Sequence, residues 1–339
     1  MLKKIGHTVF FEKPPSVLAF ASVVGKKEAN GPLGEMFDVI ETDALAGEKS
    51  FEKAEAKFQK SAVTHALSKA KIKPDDVDYI LGGDLLNQCI SSSYGLRDFG
   101  IAFIGLYGAC STMAESLALA SLICASGAAE RAVAVSSSHF CSAERQFRYP
   151  IRYGGQRAPT SQWTVTGAGS VVVARNGDNK LPQIRAVTFG KIEDLGITDI
   201  NNMGAAMAPA AASTIYRFLK DSKTAPSDYD LILTGDLGRL GSDLLIRLLM
   251  DNGVDIKSRH NDCGLMIYDI EKQDVHAGGS GCGCSASVLC SKILREISAS
   301  KLKNVLFVAT GALMSPTSVQ QGESIPGVAH LVHITCSEV

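Results

Sequence analysis

No excess of charge of either sign marks this chain: 34 lysines and arginines stand against 35 aspartates and glutamates, a net charge of −1. A nucleic-acid surface, which needs a basic patch to neutralise phosphates, is therefore not expected. No secretory leader is expected either, because Met1-Leu-Lys-Lys-Ile-Gly-His is followed by no apolar core. The longest uncharged apolar stretch beside a helix, Ser116 to Ala129, has fourteen residues and several serines, too short and too polar to span a bilayer. Any membrane association is expected to be peripheral or through a partner. Nine cysteines, an odd number at irregular spacing, lack the pattern of a disulfide framework and point to thiols in the reducing cytoplasm. No second Cys or His pair accompanies Cys282-Gly-Cys284 at a zinc-like spacing, so no metal site is expected, and no cofactor.

What is present centres on Gly108-Ala-Cys110-Ser-Thr112, between the apolar run Ile101 to Tyr107 and an alanine-rich helical pattern from Met113 to Ala125. Small residues on both sides let the backbone turn sharply from an extended segment into a helix. That places the Cys110 sulfur in the first turn, where the helix N-terminus favours thiolate. The other reading of Cys110 is a buried packing residue, the ordinary place for a free cysteine.

The chain also repeats itself. Pro74-Asp-Asp-Val-Asp-Tyr-Ile-Leu-Gly-Gly-Asp-Leu85 lies 152 positions before Pro226-Ser-Asp-Tyr-Asp-Leu-Ile-Leu-Thr-Gly-Asp-Leu237, and eight of the twelve positions are identical. A helical pattern precedes each copy, Phe51 to Lys71 and roughly Ala205 to Lys220. β-branched runs close each half, at Gly167 to Val173 and Ala329 to Thr335, and the polar cluster Arg175-Asn-Gly-Asp-Asn179 separates them. Strands alternating with helices predict mostly parallel sheets covered on both faces. The expected architecture is α/β, a duplicated five-layered αβαβα fold with halves 1–178 and 179–339.

A duplicated α/β half with a cysteine flanked by small residues at a helix N-terminus resembles the thiolase superfamily, which includes the β-ketoacyl synthases. Thr166-Gly-Ala-Gly-Ser-Val-Val-Val173 is similar to the glycine-rich strand entry that closes the first half there. Met203-Gly-Ala-Ala-Met-Ala-Pro-Ala-Ala211 is similar to the start of the second half's first helix. Gly278-Gly-Ser-Gly-Cys-Gly-Cys-Ser-Ala-Ser287 takes the place of the loop that brings a His or Asn to the cysteine. Condensing chemistry needs a thiolate and two such polar groups to hold the thioester oxygen and move a proton. The strand expected to deliver one His reads Leu231-Ile-Leu-Thr-Gly-Asp236-Leu-Gly238, without imidazole, and the glycine loop offers Ser280 or Cys282 depending on register.

A narrower resemblance covers the full length. Lys26 to Asp38, Gly108 to Thr112, Ser136-Ser-Ser-His139-Phe-Cys141, Arg145-Gln-Phe-Arg148-Tyr-Pro-Ile-Arg152-Tyr-Gly and His276 to Cys284 are similar to the stage V sporulation protein AD family of spore-forming Firmicutes. The resemblance implies a non-enzymatic thiolase-fold protein. It would bind dipicolinic acid, alone or as calcium dipicolinate, and serve its uptake into the developing spore with membrane proteins of the same complex. It also implies a homodimer associated peripherally with the spore inner membrane. The competing readings are an acyltransferase or condensing enzyme with Cys110 as nucleophile, and a scaffold with a vestigial pocket.

A flat dicarboxylate needs planar apolar walls and cationic donors, and arginine meets carboxylates bidentately. Arg145, Arg148 and Arg152, set among aromatic residues, are the expected anion-binding group; alternatively they solvate a loop or pair across a dimer. His139 follows a strand end, where loops face the ligand crevice of open α/β sheets, or is a structural histidine. With Cys110, His276, Ser280 and Cys282 these are the candidate ligand-binding residues. Asp84 and Asp236, at matching strand ends, are expected to share a structural job such as helix capping, the alternative being that either meets a chelated calcium through its oxygen.

Overall fold

The computed structural model describes residues 2–147, 157–177 and 180–336. Two helices of equal length set its frame. Phe51–Ala70 starts where Ser50 accepts from the Lys53 amide and stops at Lys71, in the left-handed region. Met203–Ser222 starts where Asn202 accepts from the Ala205 amide and stops at Lys223 in the same conformation. Side-chain capping relieves orphan amides at one end, and a left-handed residue ends the coil at the other. Each helix is followed by one copy of the repeated peptide, a short turn (Pro74–Asp76, Pro226–Asp228) and then a strand (Tyr79–Gly83, Leu231–Thr234).

The strand orders of the first and second parts correspond. One sheet runs Ala102–Gly105, Tyr79–Gly83, Arg131–Ser138, Gly167–Ala174, Ser16–Gly25; the other runs His260–Asp262, Leu231–Thr234, Asn304–Ala312, Gly327–Thr335, Gln183–Thr188. They join through a single bridge between Ser16 and Gln183. The sheets are mixed, not mostly parallel as the alternation of helices and strands predicts. In each, the first two pairings are parallel, whereas Gly167–Ala174 and Gly327–Thr335 run antiparallel to both neighbours. The expected break at 178/179 lies outside the described residues.

Helices cover both sheets and fill the space between them. Phe51–Ala70 packs on the outer face of the first sheet, Met203–Ser222 and Gly238–Asp251 on that of the second, and Thr112–Ser126 with Cys282–Val288 lies between. The largest apolar cluster occupies that middle layer, with Met113, Leu117, Val288 and Phe307 fully buried. Ala109–Ser126 is long and apolar enough to cross a membrane, and 67% of it is buried between the sheets. No disulfide joins any of the nine cysteines.

Candidate functional site

Cys110 is presented on a strained turn. Ala109 has φ +49°, a left-handed conformation that costs a non-glycine residue about 1 kcal/mol and persists only where its surroundings over-determine it. Here hydroxyls of the next residues hold it: Ser111 Oγ donates to Gly108 O at 2.6 Å, and Thr112 Oγ1 donates to Ala109 O at 2.7 Å. The second-half strand Asn304–Ala312 abuts the turn, so that a Cβ on Gly311 would stand 2.2 Å from Gly108 O. Both halves thus build the cysteine's surroundings.

The sulfur opens on a recess of about 420 Å³, its open mouth included, walled by Tyr107, Phe147, Met203 and Met314. Ser280 and the buried Glu144 also line it, and Thr164 Oγ1 donates to Glu144 at 3.2 Å. Cys282 lies against Cys110 and Leu85, fully buried, its thiol donating to Ser137 O at 2.9 Å. Burial, and then the neighbouring Cys110, push the Cys282 thiol far up.

Asp236 belongs to the stretch Leu231 to Gly238, on which the superfamily resemblance leads one to expect an imidazole. Its carboxylate accepts from the Gly281 amide (2.8 Å), Thr310 Oγ1 (2.9 Å) and Ser280 Oγ (3.3 Å), and from the Cys110 thiol. Burial raises its pKa to about 6, and those four donors limit the rise. The shared capping role expected of Asp84 and Asp236 therefore divides. Asp84 accepts from the Leu86 and Ser92 amides and the Ser92 hydroxyl, ordering the turn and helix that follow it. Behind Asp236 the helix start is held instead by Asp262, which accepts from the Leu237 (2.8 Å) and Gly238 (3.0 Å) amides. Burial, with Asp236 close by, raises Asp262 to about 7. Asp236 is left to face the sulfur.

Of the residues singled out in the sequence, the structure brings together Cys110, Ser280 and Cys282. His139 belongs to a separate recess with Lys27, Phe140 and Trp163; its Nε2 meets Ala44 O at 2.8 Å, and burial lowers its pKa. His276 stands near Asp274 at 3.7 Å and does not line the Cys110 recess. Arg145 pairs with Glu52 on an exposed face. Arg148 and Arg152 lie outside the described residues. Among the described residues no histidine, lysine or arginine lines the recess. Sequence reasoning missed Tyr107 and Glu144 as lining residues; Tyr107 only ends an apolar run and Glu144 starts no motif, so neither carried a signal, whereas Phe147 is one of the aromatic residues among which Arg145 is set.

Comparison with known proteins adds the lineage. The family model described as stage V sporulation protein AD matches residues 6–335. The chain belongs to that family. It is 48% identical over 325 residues to stage V sporulation protein AD of Bacillus subtilis (strain 168), covering 96% of this chain and 95% of the relative. Among solved structures it resembles 3-oxoacyl-[acyl-carrier-protein] synthase III from Aquifex aeolicus VF5, with TM-score 0.57 and 13% identity over 95% of this chain and 99% of that one. Cerulenin-bound OleA of Xanthomonas campestris gives a TM-score of 0.60 and 15% identity over 96% and 97%. At such identity the likeness concerns the fold, which is thiolase-like, duplicated and five-layered. In this chain the structure sets Cys110 in a recess of that fold with the Asp236 carboxylate beside the sulfur.

Proposed function

We propose that the Cys110 recess binds dipicolinic acid as its calcium chelate, and that the protein serves uptake of that ligand into the developing spore without catalysing a reaction. Membership of a sporulation family supports the biological setting. The observation that carries the chemistry is the lining: ring and thioether walls suit a flat aromatic ligand, Glu144 offers oxygen, and Asp236, buried behind Cys110 and outside the lining, adds negative charge where no described residue supplies a cation. A free dianion would meet like charge there. In the chelate the metal already neutralises both carboxylates, and carboxylate oxygens suit a calcium ion's remaining positions. Calorimetry with calcium dipicolinate, against dipicolinate in excess chelator, tests this. Tighter binding of the chelate is expected; tighter binding of the free dianion sinks the chelate reading and returns anion recognition to Arg148 and Arg152. In that case an Arg148→Ala, Arg152→Ala double variant would lose it.

The division at 178/179 into two similar halves remains our reading of the chain's organisation, supported by the matching strand orders. A homodimer is favoured by the edge strand Ala102–Gly105, which carries Phe103 at 39% exposure beside Tyr94 at 55%. An unpaired apolar edge is a ready template for a second copy. The ligand must be handed to membrane proteins of the same complex, with this chain lying peripherally on the membrane. One observation favours a second reading, acyl transfer: Cys110 sits in a strained turn on a fold shared with condensing enzymes. Turnover of an acyl thioester that vanishes in Cys110→Ser would establish that reading.

A further inference from the structure

The duplication allows each half to serve as the other's reference, and the two differ most tellingly at the far end of the second sheet. There a wide recess opens beside Arg185, Tyr229 and Lys303. It is separate from the Cys110 cleft: Asn304 lines the recess and Ala312 the cleft, opposite ends of one strand, roughly 25 Å apart.

Matching backbone features identify the counterparts. In both halves the first sheet strand slips register once against its antiparallel neighbour, between Val17 and Ala19 and between Ile184 and Ala186. The residue at the slip is Leu18 in one and Arg185 in the other. Opposite stand Val172, paired with Ala19, and His333, paired with Ala186. The 152-residue spacing of the repeat sets Phe218 against Ala66, Ser222 against Ala70, Thr224 against Ile72 and Tyr229 against Val77. In the first half all six positions belong to one apolar cluster. In the second they supply a guanidinium, three rings and two hydroxyls to an open recess.

The same substitution of chemistry extends to the rim. Asp78 accepts from the Glu130 and Arg131 amides as Asp230 does from those of Lys303 and Asn304. The amides of Arg175 and Cys336 donate to Glu130 O and Lys303 O respectively. Where the first half has the ion pair Glu130–Arg175, at 3.0 Å, the second has Lys303 and Cys336. Lys303 has no acidic partner among the described residues, nor has Arg185, whose Nε donates to Thr335 Oγ1 at 3.1 Å. Among the described residues no acidic side chain lines the recess. The ring walls are mutually braced, with Phe218, Tyr229 and His333 centroids 5.6–6.1 Å apart. Where the first half packs an apolar patch, the second presents a cationic, ring-walled hollow, which packing of the fold does not require, since the matched positions of the first half are filled by apolar side chains.

We propose that this recess is a second ligand site, for a small ring-bearing anion whose carboxylate or phosphate is held by Arg185 and Lys303. A β-bulge commonly re-aims a side chain beside a functional site, and the slip at Arg185 has that form. Arginine's fork suits either oxyanion, and lysine adds a second positive charge. The site is independent of whatever the Cys110 cleft binds.

The test installs first-half residues in the full-length protein. Isophthalate and adenosine 5′-monophosphate are titrated calorimetrically, each beside its neutral counterpart, isophthalamide and adenosine. At least one anion is expected to bind, and its counterpart about tenfold more weakly or not at all. Arg185→Leu and Lys303→Glu should each weaken that anion about fivefold or more, through loss of a charge-assisted contact. Lys303 is exposed, so its variant stays folded even if Arg185→Leu does not. Binding of neither anion, equal binding of a neutral counterpart, or wild-type affinity in Lys303→Glu would overturn the proposal.

Discussion

At the scale of single residues the decisive pair is Cys110 and Asp236. A carboxylate that accepts the thiol's hydrogen bond opposes a second negative charge beside it, whereas an imidazole would welcome one. Asp236→Asn keeps an acceptor and removes the charge, so alkylation of Cys110 by iodoacetamide at pH 7 should quicken about tenfold, as little as 1.4 kcal/mol of relief requires. An unchanged or slower rate would mean that Asp236 does not restrain the sulfur. The placing of Cys110 at a helix start was legible from its small-residue setting. That of Asp236 was not, because its symmetry with Asp84 argued for a shared role. Only Asp262, 26 residues further on, frees Asp236 from capping, and no local pattern announces a carboxylate arriving on a neighbouring strand. Arg145 shows the same limit: its partner Glu52 lies 93 residues earlier.

At the scale of elements, the turn that presents Cys110 depends on the strand Asn304–Ala312. Gly311→Ala would set its methyl against Gly108 O and should cost about 1–3 kcal/mol in urea denaturation, together with ligand binding at the cleft. Retained stability and binding would show that the strand gives way. The helices and the repeat were readable because capping residues and apolar spacing are local. The antiparallel returns were not, since strand direction is set by partners far away in sequence. The closing strand Gly327–Thr335 carries His333, whose pKa burial lowers to about 4, with Arg185 adding to the fall. Between about pH 4 and 6.5 the unfolded chain holds a proton at His333 that the folded chain has shed, so this group's stabilisation is present above 6.5 and lost on acidification. Asp262 works oppositely: raised to about 7, it favours the fold at acid pH and loses that contribution as pH climbs through 7. In His333→Gln the rise of stability from pH 4.5 to 6.5 should flatten by up to about 1.4 kcal/mol per pH unit, measured by urea midpoints. An unchanged slope would count against a neutral, half-buried imidazole at His333.

At the scale of the whole molecule, two corresponding sheets enclose one helical layer, and the two proposed ligand sites lie at opposite ends of a single strand. The duplication was visible in twelve residues, and with it the fold class. The recesses were not, because a cavity is defined by what several distant segments leave unfilled. Assembly is tested at the open edge: Phe103→Glu should leave only monomer by sedimentation equilibrium, and a persistent dimer would place the interface elsewhere. The central claim concerns what the Cys110 cleft holds. Calorimetry of the full-length protein with the calcium chelate of pyridine-2,6-dicarboxylate, beside the 2,4 and 3,5 isomers under the same conditions, tests it most directly. The 2,6 isomer alone should release binding heat, and Asp236→Asn or Cys110→Trp should abolish or weaken it. Equal heats for all three isomers, or none for any, would contradict the account.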